Sequence, residues 1–226
     1  AAGGMPATEE RSPLAVSPDG KYLVSVFRGL RLSDPVTGKV VKTLGRESTP
    51  GNHIAFSPDG QLIAADCRDG VVRIWEVSSG ALYATAKHKS LQCLAFSNDR
   101  QLLATAGGER SRDRIRLWDL SDRKNATGRP LTEIGTLVHG STVMGLCFSP
   151  DGSRLASGSA NNRLKVWNTS THQVLHTLKG RTGLFSPDSR SIATVTYADD
   201  SQTIFLWDVA DGKLVHELRG GHLAAV

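Results

Sequence analysis

Short apolar runs, each broken by a cluster of turn residues, succeed one another along the chain, and residues 139–178 show the pattern most clearly. Val143, Met144, Leu146 and Phe148 make a first run. Ser-Pro-Asp-Gly at 149–152 then turns the chain: Pro150 pre-sets φ, Asp151 bonds the local backbone and Gly152 accepts positive φ. A second strand, Arg-Leu-Ala-Ser-Gly-Ser, leads to Asn161 and Asn162, a pair that tolerates the left-handed conformation and closes a second tight turn. Leu-Lys-Val-Trp-Asn is a β-branched and aromatic third strand, and Val-Leu-His-Thr-Leu a fourth. Four short antiparallel strands make one twisted sheet that cannot bury both faces alone.

The same pattern recurs. Val-Ser-Pro-Asp-Gly at 16–20, Phe-Ser-Pro-Asp-Gly at 56–60, Phe-Ser-Asn-Asp-Arg at 96–100, Phe-Ser-Pro-Asp-Gly at 148–152 and Phe-Ser-Pro-Asp-Ser at 185–189 are five near-copies, with anchors 40, 40, 52 and 37 residues apart. A second marker follows each one, and in the last four it carries Trp75, Trp118, Trp167 and Trp207, the four tryptophans of the chain. A repeat near 40 residues predicts an array of identical supersecondary units. Stacked radially, such sheets bury one another's faces and leave short edges, so an all-β propeller is expected.

Composition changes this picture little. The 226 residues are 39% hydrophobic and 22% charged, the balance of a soluble globular protein, and no apolar run approaches the length of a membrane span. The opening Ala-Ala-Gly-Gly-Met-Pro-Ala-Thr-Glu-Glu-Arg-Ser has no basic-then-apolar leader, which favours a cytoplasmic setting, although a processed chain would lack a leader as well. Net charge is +5, mostly scattered; the densest stretch, 109–116, also holds Glu109 and Asp113. A nucleic-acid binder would need a basic stripe interleaved with exposed aromatics, and the tryptophans are taken by the repeats. Cys67, Cys93 and Cys147 show no CxxC spacing, which argues against zinc or a disulfide framework. His53, His172, His176 and His216 have no ligand set beside them in sequence, and His176 and His216 occupy similar places in two repeats. No HExxH, GxSxG, P-loop or paired-carboxylate motif occurs, so no enzyme, cofactor or metal is expected.

With Trp118–Asp119 and Trp207–Asp208 as signature dipeptides, the chain resembles the WD-repeat β-propeller family from about Ser12 onward. The resemblance implies four-stranded antiparallel blades at about 12–45, 46–86, 87–138, 139–179 and 180–219, after an irregular segment at 1–11. It also implies a structural tetrad joining an opening His, a Ser or Thr of the second strand, a turn Asp and the third-strand Trp. In the fourth repeat the matching residues are His139, Ser159, Asn161 (for Asp) and Trp167; Val138 replaces the Gly before the His. The second repeat offers Cys67, Asp69 and Trp75, with Glu47 where the His belongs. His88 serves the third beside Trp118 and Asp113, the fifth has Trp207 without an opening His, and the first has Ser33 in place of Trp.

Departures from the pattern fall on loops: extra residues around 108–113 and 121–130 in the third repeat, and a shortened first strand in the fifth. Gly221–His222 reads as the start of a further repeat over 220–226. Segment 1–11 is too rich in Pro, Gly and Glu to serve as a closing strand. An open or partial propeller belonging to a ring of six or seven blades is therefore expected, with self-association or partner-supplied strands as a route to completion; five blades closing by face packing alone is the alternative. For function, the resemblance implies a non-catalytic interaction scaffold binding a protein or peptide on the propeller face or central channel. Arg68, Arg110, Arg112, Arg163, Arg181 and Tyr197 are the candidate contacts, and the basic lean points to an acidic partner. A sensory or regulatory module of a larger multidomain protein, such as one of the bacterial kinase type, is the alternative, and a basic nucleic-acid-associated propeller a weaker one. The glycosylation sequons at Asn125 and Asn168 carry no weight unless the chain is secreted.

Overall fold

The computed structural model describes residues 14–45, 48, 50–108, 113–121, 128–198 and 201–219. They form five antiparallel sheets, one per repeat, without a helix. The first holds β1 (Leu14–Val16), β2 (Leu23–Val26), β3 (Leu30–Ser33) and β4 (Val40–Leu44). The second holds β5 (Pro50–Phe56), β6 (Leu62–Cys67), β7 (Val71–Glu76) and β8 (Leu82–Lys87). β9 (Leu91–Phe96), β10 (Leu102–Gly107), β11 (Arg114–Asp119) and β13 (Thr132–Val138) make the third, while the short β12 (Arg129–Pro130) between β11 and β13 joins the second sheet. The fourth is β14 (Val143–Phe148), β15 (Arg154–Ser159), β16 (Arg163–Asn168) and β17 (Val174–Lys179); the fifth is β18 (Thr182–Phe185), β19 (Ser191–Ala198), β20 (Ser201–Asp208) and β21 (Leu214–Arg219). First strands of neighbouring sheets lie side by side, β1 on β5, β5 on β9, β9 on β14 and β14 on β18. The sheets converge at their first strands, the arrangement of propeller blades around an axis.

Each turn between first and second strands is built alike. A serine hydroxyl donates to the aspartate two residues on, in the pairs Ser17–Asp19 (2.7 Å), Ser57–Asp59 (2.7 Å), Ser97–Asp99 (2.6 Å), Ser149–Asp151 (2.5 Å) and Ser186–Asp188 (2.6 Å). The same hydroxyl accepts the amide five residues on, and the carboxylate accepts the amide two residues beyond itself, so the turn satisfies its own backbone. The left-handed position closing it is glycine in three repeats (φ 72° at Gly20, 70° at Gly60, 72° at Gly152), where that conformation costs an L-residue about 1–2 kcal/mol. Arg100 and Ser189 occupy it in the other two (φ 57° and 62°), and both bond a neighbouring turn: Arg100 binds Asp59, and Ser189 Oγ accepts the Asp151 amide at 3.1 Å.

Four apolar clusters lie between consecutive sheets, each made by the alternate residues of two facing blades. Between the third and fourth, Ala104, Ile115, Leu117 and Leu137 meet Val143, Phe148, Leu155 and Trp167. Burial of one such Leu or Ile side chain stabilises by about 1.5–3 kcal/mol, so these interfaces dominate the fold. Among the described residues no cluster joins the first sheet to the fifth.

The long loop of the third repeat does something its sequence does not announce. Arg129 and Pro130 pair in parallel with Ala84 and Thr85 of β8, adding a fifth strand to the outer edge of the second sheet. The Gly128 amide donates to the Tyr83 carbonyl (3.1 Å) and the Leu131 amide to that of Thr85 (2.7 Å), while Leu131 itself is buried beside Tyr83 and Leu120. A loop of the third blade thereby straps the second and covers an edge that would otherwise be open. Leu131→Ala is expected to cost about 2–3 kcal/mol and to speed exchange of the Gly128 and Leu131 amides; unchanged exchange at both would dismiss the strap.

Candidate functional site

The chemistry-bearing side chains gather at the ends of the sheets opposite the Ser-Pro-Asp turns, where second strands turn into third and fourth strands cross to the next blade. In the fourth blade, pairing places Leu155 opposite Trp167, so residues two apart from Leu155 share the indole's face. Trp167 Nε1 donates to Ser157 Oγ at 2.7 Å, and the same hydroxyl meets His139 Nδ1 at 2.8 Å. An indole only donates, so the hydroxyl accepts from Trp167 and pairs with Nδ1 as donor or acceptor according to the imidazole tautomer. The third blade repeats this with Thr105: Trp118 Nε1 donates at 2.8 Å and His88 Nδ1 lies at 2.6 Å.

This corrects the expected tetrad. The serine between His139 and Trp167 is Ser157, not Ser159. Ser159 Oγ donates instead to Asn161 Oδ1 (2.6 Å) and lies 2.8 Å from the Arg163 carbonyl, an independent closure of the turn. Asn161 therefore does not complete the imidazole's bonding, and Nε2 of both His88 and His139 is buried without a hydrogen-bond partner. The distinguishing signal was register: Ser157 stands two residues past the one facing Trp167, whereas Ser159 is at the strand's end.

The same register explains the other blades. In the second, Cys67 aligns with Ser159, and the hydroxyl position is filled by Ala65, so Trp75 is buried without that hub. Asp69 is drawn away from any such network: both of its oxygens accept from Arg73, at 3.0 and 2.6 Å. In the fifth, Trp207 Nε1 donates to Thr194 Oγ1 at 2.9 Å, and Thr194 Oγ1 donates to the Lys179 carbonyl at 2.6 Å. A backbone carbonyl thus replaces the missing imidazole. A Cβ on Gly180 would lie 2.6 Å from Thr194 Cβ, so the crossing chain approaches this closely only as glycine.

Burial pushes the pKa of both imidazoles down to about 4, helped at His88 by the positive charge of Arg116 and at His139 by that of Lys165. Both are therefore neutral near pH 7. Burial also pushes the Cys93 thiol up to about 12 and that of Cys147 up to about 11, the opposite of an activated nucleophile. Among the described residues no three His, Cys, Asp or Glu side chains converge on a metal-sized site.

Four of the candidate contact residues lie at this same end. Arg68 is exposed and, with Asp66, Asp69, His88 and Lys89, lines a cleft of about 450 Å³ between the second and third blades. Arg163 is exposed at the start of β16. The Arg181 guanidinium lies over the half-exposed Tyr197 ring, 5.8 Å from its centroid, and the Asn162 amide reaches the Tyr197 carbonyl at 3.3 Å from the neighbouring blade. Arg110 and Arg112 fall outside the described residues, as do Glu47 and the segments 1–11 and 220–226.

A family model described as "WD domain, G-beta repeat" matches residues 38–76, 81–119 and 131–168. The chain is 28% identical over 170 residues to apoptotic protease-activating factor 1 of Rattus norvegicus, covering 73% of this chain and 12% of that protein. It is 30% identical over 141 residues to the small ribosomal subunit protein RACK1 of Medicago sativa (57% and 42%). It is 27% identical over 229 residues to the target of rapamycin complex subunit wat1 of Schizosaccharomyces pombe (94% and 69%). The chain thus spans less than half the length of each of the first two.

Proposed function

The chain belongs to the WD-repeat family, and on that premise we propose that it is a non-catalytic scaffold binding a protein or peptide with acidic side chains. One observation carries the reading. The end of the blades opposite the Ser-Pro-Asp turns displays Arg68, Arg163 and the Arg181–Tyr197 stack, while the histidines nearest to it are locked inside the blades. Arg offers a planar fork that matches a carboxylate bidentately, and Tyr adds large contact area at low entropic cost. The names of two similar proteins, a ribosomal subunit protein and a complex subunit, place those proteins in assemblies and support the same reading here. Trp75, Trp118 and Trp167 are packed between sheets rather than displayed to a base, which gives nucleic acid less support.

Affinity capture with the wild-type chain and with an Arg68→Ala/Arg181→Ala/Tyr197→Ala variant tests the proposal. All three changes are at the surface end, so the circular dichroism spectrum should be unchanged. The variant is expected to bind its captured partner about tenfold more weakly or worse. Equal recovery of every partner by both chains would remove this face from the argument.

A further inference from the structure

The net charge of the chain gathers in one blade. Residues 152–187 hold Arg154, Arg163, Lys165, Lys179 and Arg181 and neither Asp nor Glu, so these five cations equal the net charge of +5, while charges of both signs balance elsewhere. The outer edge of this blade is β17, whose one sheet partner among the described residues is β16. Thr177 lies opposite Lys165, Lys179 ends the strand, and Val174 and Leu175 at its start are each 41% exposed. The Lys165 and Lys179 ammonium groups lie over the Trp167 and Phe205 rings, and no carboxylate among the described residues holds either. The turn of the fifth blade that packs on His176 contains Asp211, which Lys213 binds at 2.7 Å.

The strap on the second blade shows what such an edge accepts. Counted from the pairs Trp75–Leu82 and Trp167–Val174, Tyr83 and Thr85 are equivalent to Leu175 and Thr177. On β8 the carbonyls of Tyr83 and Thr85 accept amides of the strap, and Thr85 Oγ1 reaches the Arg129 carbonyl at 3.5 Å. Leu175 and Thr177 present the equivalent carbonyls and hydroxyl on an edge that no strand covers among the described residues. Tyr83 is accordingly 5% exposed, against 41% for Leu175. The other outer edges are less basic: β13 and β21 carry Glu133 and Glu217, and the turn entering β4 carries Asp34.

We propose that the outer edge of the fourth blade docks an extended acidic segment of a partner protein, which adds to β17 as a parallel strand in the way the strap adds to β8. Main-chain bonds to Leu175 and Thr177 supply the pairing, an aliphatic side chain of the segment covers Leu175, and its carboxylates meet Lys165 and Lys179. A nucleic acid has no amide ladder to offer this edge, so the backbone selects a protein. The added strand joins the rim of a finished blade. It contributes no blade to the ring and does not depend on the face that carries Arg68 and Tyr197.

The probe is a fluorescein-labelled peptide of residues 126–133 carrying Arg129→Glu, an acidic version of the strap. Fluorescence anisotropy with the full chain is expected to show saturable binding. Leu175→Asp should weaken it at least about tenfold, and Lys165→Gln/Lys179→Gln about fivefold. N-methylation of the peptide's Gly and Leu amides removes two donors without altering charge and should abolish binding. That peptide is tested on the unaltered chain, so a variant that failed to fold would not hide the answer. Arg68→Ala/Arg181→Ala/Tyr197→Ala should leave the affinity within about twofold, so the two surfaces succeed or fail separately. Absent binding, equal affinity for the methylated peptide, or an affinity unmoved by Leu175→Asp overturns the proposal. So does an oligouridylate that displaces the peptide and loses its own affinity in the lysine variant, since the basic blade would then serve nucleic acid.

Discussion

Trp167→Ala is expected to destabilise the chain by about 4 kcal/mol, the middle of the range for truncating a buried aromatic. The indole is 4% exposed and sits between the third and fourth sheets against Leu155, Phe148 and Leu117. Its removal opens a cavity at an interface that both blades need, and takes away the donor to Ser157. Urea unfolding at neutral pH, with the denaturant slope compared between variants, gives the value. Two companions separate packing from hydrogen bonding. Ser157→Ala leaves Trp167 Nε1 and His139 Nδ1 buried without a partner and should cost about 2–3 kcal/mol. Ser159→Ala removes a buried turn hydroxyl that meets only Asn161 Oδ1 and the Arg163 carbonyl, and should cost about 1 kcal/mol. A larger loss at Ser159 than at Ser157 would return the serine role to Ser159 and refute the register argument.

The second large effect is a loss of stability on mild acidification. His88 and His139 have pKa values near 4 in the fold against 6.5 for the ordinary imidazole. Between these values the unfolded chain binds protons that the folded chain does not, so stability is full above about pH 6.5 and falls as pH drops towards 4. Each imidazole contributes on the order of 2–3 kcal/mol to that fall. The turn carboxylates act in a different window. The Ser17 hydroxyl and Lys21 amide hold Asp19 down to about 2, and the Ser186 hydroxyl lowers Asp188. These groups keep their stabilising charge above the usual carboxylate range and lose it only as pH falls through their lowered values. Unfolding measured from pH 7 to 4.5 therefore isolates the histidines. His88→Gln/His139→Gln should flatten the profile over that interval, and a profile equally steep in the double variant would discard the imidazoles as its cause.

The parts of this molecule readable from sequence are those set by neighbours along the chain. Ser-Pro-Asp-Gly states its own turn, because every group that closes it lies within five residues. The Trp-containing third strands follow from β-branched and aromatic content. Sequence alone does not single out the hub serine, because Ser157 and Ser159 lie on the same face, and only the pairing of Leu155 with Trp167 says which meets the indole. Asn161 was expected on the imidazole and bonds Ser159, since a short turn brings that hydroxyl closer. The strap at Arg129–Pro130 has the sequence of a loop, because its partner edge lies some 45 residues earlier and its two-residue pairing leaves no periodicity. Thr194 bonding the Lys179 carbonyl could not be foreseen, as a backbone acceptor leaves no mark in composition.

What the sequence determined by itself is the repeat: five copies of a four-stranded unit, their turns and the tryptophans that weld them, since period, turn chemistry and side-chain alternation are local quantities. Tertiary structure alone decided which hydroxyl each indole meets, which edge the long loop covers and which apolar face stays open. Leu164 and Ile204 are equivalent and alike in sequence, yet one is buried and the other exposed. Burial depends on what stands across the interface, and a residue's own neighbours along the chain do not carry that information.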